Sequence, residues 1–324
     1  MKLSNKTLTK FIKGAVCFSE EKGYLCSYRY SRAQMDHMSL DGYDHCWRSW
    51  ALHSSNIRIE FKTDAQSLSF NYRSSDVLDT NNTIDLYIND VLYSVYNIEQ
   101  NLKGSVAFSM PAGEKKVSIY LPCVSKLDIK GFTIDGSYKT IKDKGARVLV
   151  IGDSITQGGG PSITSASYLN SLVRKTGYTV LGQGIAGYRY EPRDLMKVDG
   201  FEPDKIIVFL GTNYYDEKSC LDNGYDYEIA VNEFYEKLTR LYPETPIMTI
   251  TPLWRNNNVD WERFLWCIDT IKKACEKYKN IHVVDGFTLV PNVDECYKDK
   301  IHPNSYGSEL LASNILKNIK ELKF

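Results

Sequence analysis

The stretch VLVIGDSITQGGG, residues 148–160, decides between two readings of this chain. Four apolar residues give way to Gly152, Asp153 and Ser154, and then to three glycines at 158–160. A continuous apolar run of this kind reads as a strand buried on both faces, the habit of a parallel sheet. An ordinary polar turn would end it well enough. Instead it ends on a serine that either caps a helix or is held at the strand tip as a nucleophile.

Downstream, strand-like runs alternate with amphipathic segments. SASYLNSLVRKTG (165–177) reads as a helix stopped by Gly177, YTVLGQG (178–184) and KIIVFLGT (205–212) as strands, and YEIAVNEFYEKLTRLYP (227–243) as a helix. PIMTITPL (246–253) is a strand, WERFLWCIDTIKKACEKYK (261–279) a helix, IHVVDG (281–286) a buried strand and SYGSELLASNILKNIKELK (305–323) a last helix. This order predicts an α/β fold, a parallel sheet with helices on both sides, in which ligands sit beyond the carboxyl ends of the strands. Upstream the period changes. NIRIEFKT (56–63), SLSFNYRS (67–74), TIDLYIND (83–90), VLYSVYNI (91–98), KKVSIYLP (115–122) and KLDIKGFTI (126–134) alternate apolar and polar residues. They predict an antiparallel β-sandwich or jelly roll without long helices. The change falls at YKTIKDKGA (138–146), so two domains are expected, 1–140 and 146–324.

Forty Lys and Arg balance forty Asp and Glu, which gives no electrostatic ground for a nucleic-acid or anionic-membrane partner. No window approaches the roughly 18 apolar residues of a membrane helix, and the N-terminus carries no signal-peptide pattern. The eight cysteines (17, 26, 46, 123, 220, 267, 275, 296) form no CxxC pair, and reduced thiols in a cytoplasm suit them better than disulfides. The five histidines (37, 45, 53, 282, 302) show no ligand spacing, so neither metal nor cofactor is expected. His282 is expected to pack in or cap its strand. The two tryptophans of DHCWRSWALH (44–53) read as core or interdomain packing.

Four strand ends carry unusual polar residues: Gly152-Asp153-Ser154, GQGIAGYRY (182–190), VFLGTNYYD (208–216) and YKDKIHPNSYG (297–307). Each alone is as well read as an ordinary turn. A glycine after a strand can present a backbone N–H to a cavity, an Asn amide can donate to an oxyanion, and an Asp three residues before a His can orient the imidazole. All four lie in a fixed order on one predicted rim.

At these residues the chain resembles the SGNH, or GDSL, hydrolases over about 146–324. The resemblance implies a three-layer, flavodoxin-like domain with a five-stranded parallel sheet. It implies Ser154 as nucleophile, His302 as base and Asp299 as its orienting partner. The oxyanion hole would be the Ser154 N–H, the Gly187 N–H and the Asn213 amide, with Gly184 as the earlier glycine of its block. Two departures stand out: Tyr214 where the family often has Asp, and Gly182-Gln183 where it often has Asn before the block glycines. A jelly-roll-like domain ahead of such a domain is similar to carbohydrate esterase family 2, which removes acetyl groups from plant polysaccharide sugars. The expected partner is therefore a small-molecule or oligosaccharide ester. Trp254 and Arg255 in TPLWRNN (251–257), with Tyr188 and Tyr214, are the expected substrate contacts, and Tyr215 is a further candidate. An acyltransferase using the same serine, or a non-catalytic carbohydrate-binding protein, are the competing readings.

Overall fold

The alternating runs upstream of residue 135 form two antiparallel sheets. The computed structural model describes residues 1–38, 45–75, 82–98, 102–216, 224–257 and 259–324. The strands of this half are β1 (Ile12–Lys13), β2 (Cys17–Glu21), β3 (Tyr24–Tyr28), β4 (Arg58–Thr63), β5 (Ser67–Ser75), β6 (Thr83–Ile88), β7 (Val91–Asn97), β8 (Lys103–Ser109), β9 (Lys115–Tyr120), β10 (Lys126–Ile134) and β11 (Tyr138–Thr140). One sheet runs β1–β4–β9–β6–β7, with β11 alongside β4; the other runs β2–β3–β10–β5–β8. From β3 to β10 the chain changes sheet at every step except the β6–β7 hairpin, which is jelly-roll topology. The inward residues of each strand meet between the sheets, where Phe70 stacks on Phe132 at 5.6 Å and Phe61 meets Phe132 edge-on at 6.0 Å.

Strands β1, β2, β3, β8 and β11 are not among the runs read from the sequence. In β8, Gly104, Ser105 and Ala107 dilute the apolar signal, yet Val106 and Phe108 are buried on alternate positions. The connection from β3 to β4 leaves the sandwich. With α1 (Asn5–Leu8) lying ahead of β1, it carries helices α2 (Arg32–His37) and α3 (His45–Ala51), and its Tyr30, Met38, Trp47 and Ala51 pack in one cluster with Leu149, Leu181, Ile185 and Tyr188 of the second half.

That second half is an α/β layer structure. Its strands are β12 (Arg147–Gly152), β13 (Thr179–Gly184), β14 (Lys205–Phe209), β15 (Ile247–Ile250) and β16 (Ile281–Val284). They are all parallel, in the order β13–β12–β14–β15–β16. The order reverses at β12, so the switch point at which such sheets hold ligands falls at the carboxyl ends of β12 and β14. Successive residues of the central strands face opposite ways. Val148, Val150 and Ile207 pack with Leu169, Leu172 and Leu311, which belong to α5 (Tyr168–Thr176) and the final helix, Ser305–Glu321. Leu149, Ile151 and Val208 pack against Phe234 and Ile271, from the helices Tyr227–Leu241 and Trp261–Cys275. With the short α4 (Ser154–Gln157) ahead of α5, these three helices are α6 (Tyr227–Leu241), α7 (Trp261–Cys275) and α8 (Ser305–Glu321).

The caps explain the helix limits. Ser167 accepts from the Asn170 N–H to start α5, and Gly177 ends it in the left-handed region at φ +68°. One expectation is corrected: β16 is the edge strand rather than a buried one, and His282 and Val283 are exposed. No helix among the described residues is long and apolar enough to cross a membrane. The seven described cysteines are thiols, and Cys220 lies outside the described residues.

Candidate active site

Gly152 closes β12 because nothing larger fits: a Cβ there would come within 2.0 Å of Thr156 Oγ1 and 2.9 Å of the Phe209 carbonyl oxygen. Asp153 then caps α4, its carboxylate accepting from the Ile155 N–H at 3.0 Å, and Ser154 opens the first turn, half-buried. Asp153 itself is 2% exposed, and burial pushes its carboxyl up to about 6, against the pull of the Ile155 N–H and the charges of His302 and Arg255.

The Ser154 Oγ lies 2.7 Å from His302 Nε2. His302 Nδ1 lies 2.8 Å from Asp299 Oδ2, so Nδ1 carries the proton and Nε2 is free to accept one from the serine. Asp299 reaches its ring through a tight turn. Lys298 N–H donates to the His302 carbonyl at 2.9 Å, Tyr297 pairs with Pro303, and Lys300 takes a left-handed φ of +67°. The other Asp299 oxygen accepts from the His302 N–H at 2.8 Å and the Ile301 N–H at 3.2 Å. Burial raises the Asp299 carboxyl, but the His302 ring and these N–H groups outweigh it and hold it well below the usual carboxylate range.

The glycine tail of the opening stretch is what lets this turn approach. A Cβ on Gly159 would sit 3.4 Å from His302 Cδ2. One on Gly160, at φ +108°, would meet the Pro303 carbonyl oxygen at 2.3 Å and His302 Cβ at 3.0 Å.

Two further loops leave the carboxyl ends of the strands that flank β12. After β13, the Tyr188 N–H donates to the Ile185 carbonyl at 3.1 Å, and Gly187 fills the left-handed position of that turn at φ +67°. The Ile185 N–H donates to the Gly152 carbonyl at 3.1 Å, tying this loop to the serine strand. After β14, the Asn213 amide donates to the Tyr188 carbonyl at 3.1 Å, which leaves its second N–H for another acceptor. Among the described residues neither the Ser154 N–H nor the Gly187 N–H has an acceptor within the protein.

Residues 150–310 match the model of the GDSL-like lipase/acylhydrolase family. The parallel-sheet half of this chain belongs to the GDSL, or SGNH, hydrolases. No curated protein sequence matches the chain. Among solved structures, a salicylyl-acyltransferase from a tetracycline biosynthetic pathway aligns over 96% of this chain and 94% of its own, at 18% identity and a TM-score of 0.75. A family two carbohydrate esterase from Clostridium thermocellum, in complex with cellohexaose, aligns over 82% and 92%, at 14% identity and a TM-score of 0.66. An acetyl xylan esterase from the rumen bacterium Butyrivibrio proteoclasticus aligns over 82% and 88%, at 15% identity and a TM-score of 0.57. At these identities the shared property is the fold, sandwich included.

Around the SGNH blocks the expected substrate contacts fare unequally. Tyr188 is corrected: its ring is 4% exposed, packed edge-on against Trp47 at 5.0 Å with its hydroxyl donating to Asp194 at 3.0 Å, so it is a core side chain. Trp254 stacks on Phe287 at 3.9 Å and donates its indole N–H to the Phe287 carbonyl at 2.9 Å, which commits it to packing. Arg255 braces the third block. It donates to the Thr212 carbonyl and lies over the Tyr215 ring at 5.0 Å, and Tyr215 itself is buried. Tyr214 is half-buried at φ +55°, between Trp47 at 6.5 Å and Tyr225 at 6.1 Å.

The first half supplies residues that motif reading missed. Arg29, fully buried, donates to the Gly182 and Gly184 carbonyls at 2.8 and 2.9 Å and to those of His53 and Trp50 at 2.9 and 3.0 Å. Asn56 donates to the Thr156 carbonyl at 3.3 Å, and Ser55 to that of Gln157. No local pattern marks these residues, because their partners are backbone oxygens, those of Thr156, Gln157, Gly182 and Gly184 lying 100 to 155 positions away. Among the described residues no group of three or more His, Cys, Asp or Glu is placed to hold a metal.

Proposed function

We propose that this protein is a serine esterase that removes O-acetyl or other short acyl groups from carbohydrates. The observation that carries the reading is the continuous path Asp299–His302–Ser154, with both links at 2.7–2.8 Å. In this reading His302 takes the Ser154 proton as Oγ attacks the ester carbonyl. Asp299 holds the tautomer and offsets the imidazolium charge. The displaced charge lies among the N–H groups of Ser154 and Gly187 and the free N–H of Asn213. His302 then returns its proton to the leaving sugar hydroxyl, and water activated by the same imidazole releases the acid. The work divides between a sandwich, 1–140, that braces the site and a catalytic domain, 146–324.

The carbohydrate part of the reading is supported by the shared two-part architecture with family two carbohydrate esterases and an acetyl xylan esterase. Acetylated xylo- or manno-oligosaccharides are the substrates it favours. A cytoplasmic setting suits the seven described thiols. A second reading has one observation behind it. The salicylyl-acyltransferase covers more of the chain, 96%, than those esterases do, so a sugar or metabolite hydroxyl in place of water is the alternative acceptor.

p-Nitrophenyl acetate turnover by the native chain and by Ser154→Ala tests the core. Loss of turnover in the variant is expected, and equal rates would remove the serine mechanism. Mass spectrometry of acetate release from acetylated xylo-, manno- and gluco-oligosaccharides, with and without an added acceptor alcohol, then separates hydrolysis from transfer.

A further inference from the structure

Gln157 sits three residues after Ser154, 1% exposed, and no step of the proposed reaction uses it. Its side chain joins three parts of the molecule. The Ala186 N–H can only donate, so it fixes the Gln157 Oε1 as acceptor, at 2.6 Å. The Gln157 Nε2 then faces the other way. It donates to His53 Nδ1 at 2.9 Å and lies 3.4 Å from the Cys123 carbonyl. His53 and Cys123 both belong to the sandwich half, and both are fully buried. Ala186 immediately precedes Gly187, whose N–H the proposed reaction assigns to the oxyanion hole. The main chain of Gln157 is itself held, its carbonyl accepting from Ser55 and its N–H donating to the Asp153 carbonyl at 2.8 Å.

We infer that Gln157 is a positioning residue for the oxyanion hole, through which the sandwich holds the Gly187 N–H at its working distance from Ser154. The inference rests on the esterase reading above. The amide spans the gap between a fixed wall, His53 and Cys123, and a turn that is otherwise tied by Ile185 to Gly152, by the Ile185–Tyr188 turn bond, by Asn213 to Tyr188, and by the Tyr188 side chain to Asp194 and Trp47; among the described residues the Ala186 N–H itself has the Gln157 Oε1 as its acceptor. Ala186 and Gly187 are half-exposed, so without the Gln157 acceptor the Ala186 N–H turns to water and the Gly187 N–H shifts with it. The Ser154–His302–Asp299 path does not pass through Gln157, so the proton chemistry stays as it is.

The test uses the full chain with p-nitrophenyl acetate. Gln157→Met keeps the volume and removes all three side-chain hydrogen bonds. It is expected to lower kcat by roughly 10- to 100-fold, the scale of a misplacement of about 1 Å, with KM within about twofold and the pH profile of kcat/KM unchanged. Gln157→Glu keeps an oxygen for the Ala186 N–H and is expected to retain more of kcat than Gln157→Met. It also serves if the Met variant does not fold. An unchanged kcat, an effect confined to KM, a shifted pH profile, or a Glu variant no better than the Met variant would each overturn the role. Ser154→Ala, run alongside, separates the two failures. If it stays active, the serine reading falls and this role with it. If it is dead while Gln157→Met matches the native rate, only the role of Gln157 falls.

Discussion

Ser154 differs from an ordinary capping serine in one respect: its hydroxyl is 2.7 Å from an imidazole whose far nitrogen is already held by a carboxylate. Asn213, past the end of the neighbouring strand β14, has one N–H spent on Tyr188 and, among the described residues, one unspent. Asn213→Ala is expected to lower kcat by roughly 10²–10³-fold with a smaller change in KM, read from steady-state kinetics. Asp153 makes a prediction of a different kind. Burial raises its folded pKa to about 6 from an ordinary 3.8, so its bound proton favours the folded chain at low pH. That contribution is fully present below about 4 and is lost as pH rises through 6. Asp153→Asn keeps a cap for Ile155 and removes the titration. The variant is expected to gain on the order of 2–3 kcal/mol over the native chain at pH 7.5, with the gain gone at pH 4. Denaturant unfolding at the two pH values reads the difference.

At the scale of elements, the site is a meeting of strand ends that needs glycine at close approaches. Gly159 and Gly160 pass under the His302 turn, Gly158 lies against Cys123 and Ser167, and Gly184 at the end of β13 has Gln157 N only 2.3 Å from where a Cβ would stand. Gly160 combines both demands, since a substituent there meets backbone at 2.3 Å and its φ is +108°. Gly160→Ala is expected to lower stability by at least about 1–2 kcal/mol, from the left-handed φ and the clash with Pro303, and to lower kcat more than tenfold by displacing His302. Thermal unfolding and turnover on the same preparation check both.

Across the whole molecule, the two halves are joined through the site. Arg29 is buried at the junction with four backbone carbonyls around it in place of a carboxylate, and burial lowers its pKa. Two of those carbonyls, Gly182 and Gly184, belong to the strand that leads into the Gly187 turn. Arg29→Met takes the guanidinium donor from the buried His53, Gly182 and Gly184 carbonyls and from the part-buried Trp50 carbonyl, which keeps the His53 N–H. A loss of roughly 3–5 kcal/mol in denaturant unfolding is expected, together with reduced turnover in the fraction that stays folded. Unchanged stability would mean that water replaces the guanidinium and that the junction does not depend on this residue.

The parallel sheet, its helices and the Ser154, Asn213, Asp299 and His302 positions were legible in the chain because each is a local event. An apolar run, a glycine, a polar tip and a cap all lie within a few residues of one another. The sandwich was legible wherever strands alternate strongly, and β8 was missed where small residues thin that pattern. The rest depends on distance in the chain. Which aromatic rings face the site and which are core, as Tyr188 and Trp254 show, is settled by neighbours from other elements. So is the bracing by Arg29, His53 and Gln157, whose hydrogen bonds span 104 to 155 positions or end on backbone atoms that no side-chain pattern announces. Local sequence determines which elements form and what their tips carry, because propensity and capping are short-range. Only the tertiary structure decides how those tips are held, because a buried donor is satisfied by whatever acceptor the packing brings to it.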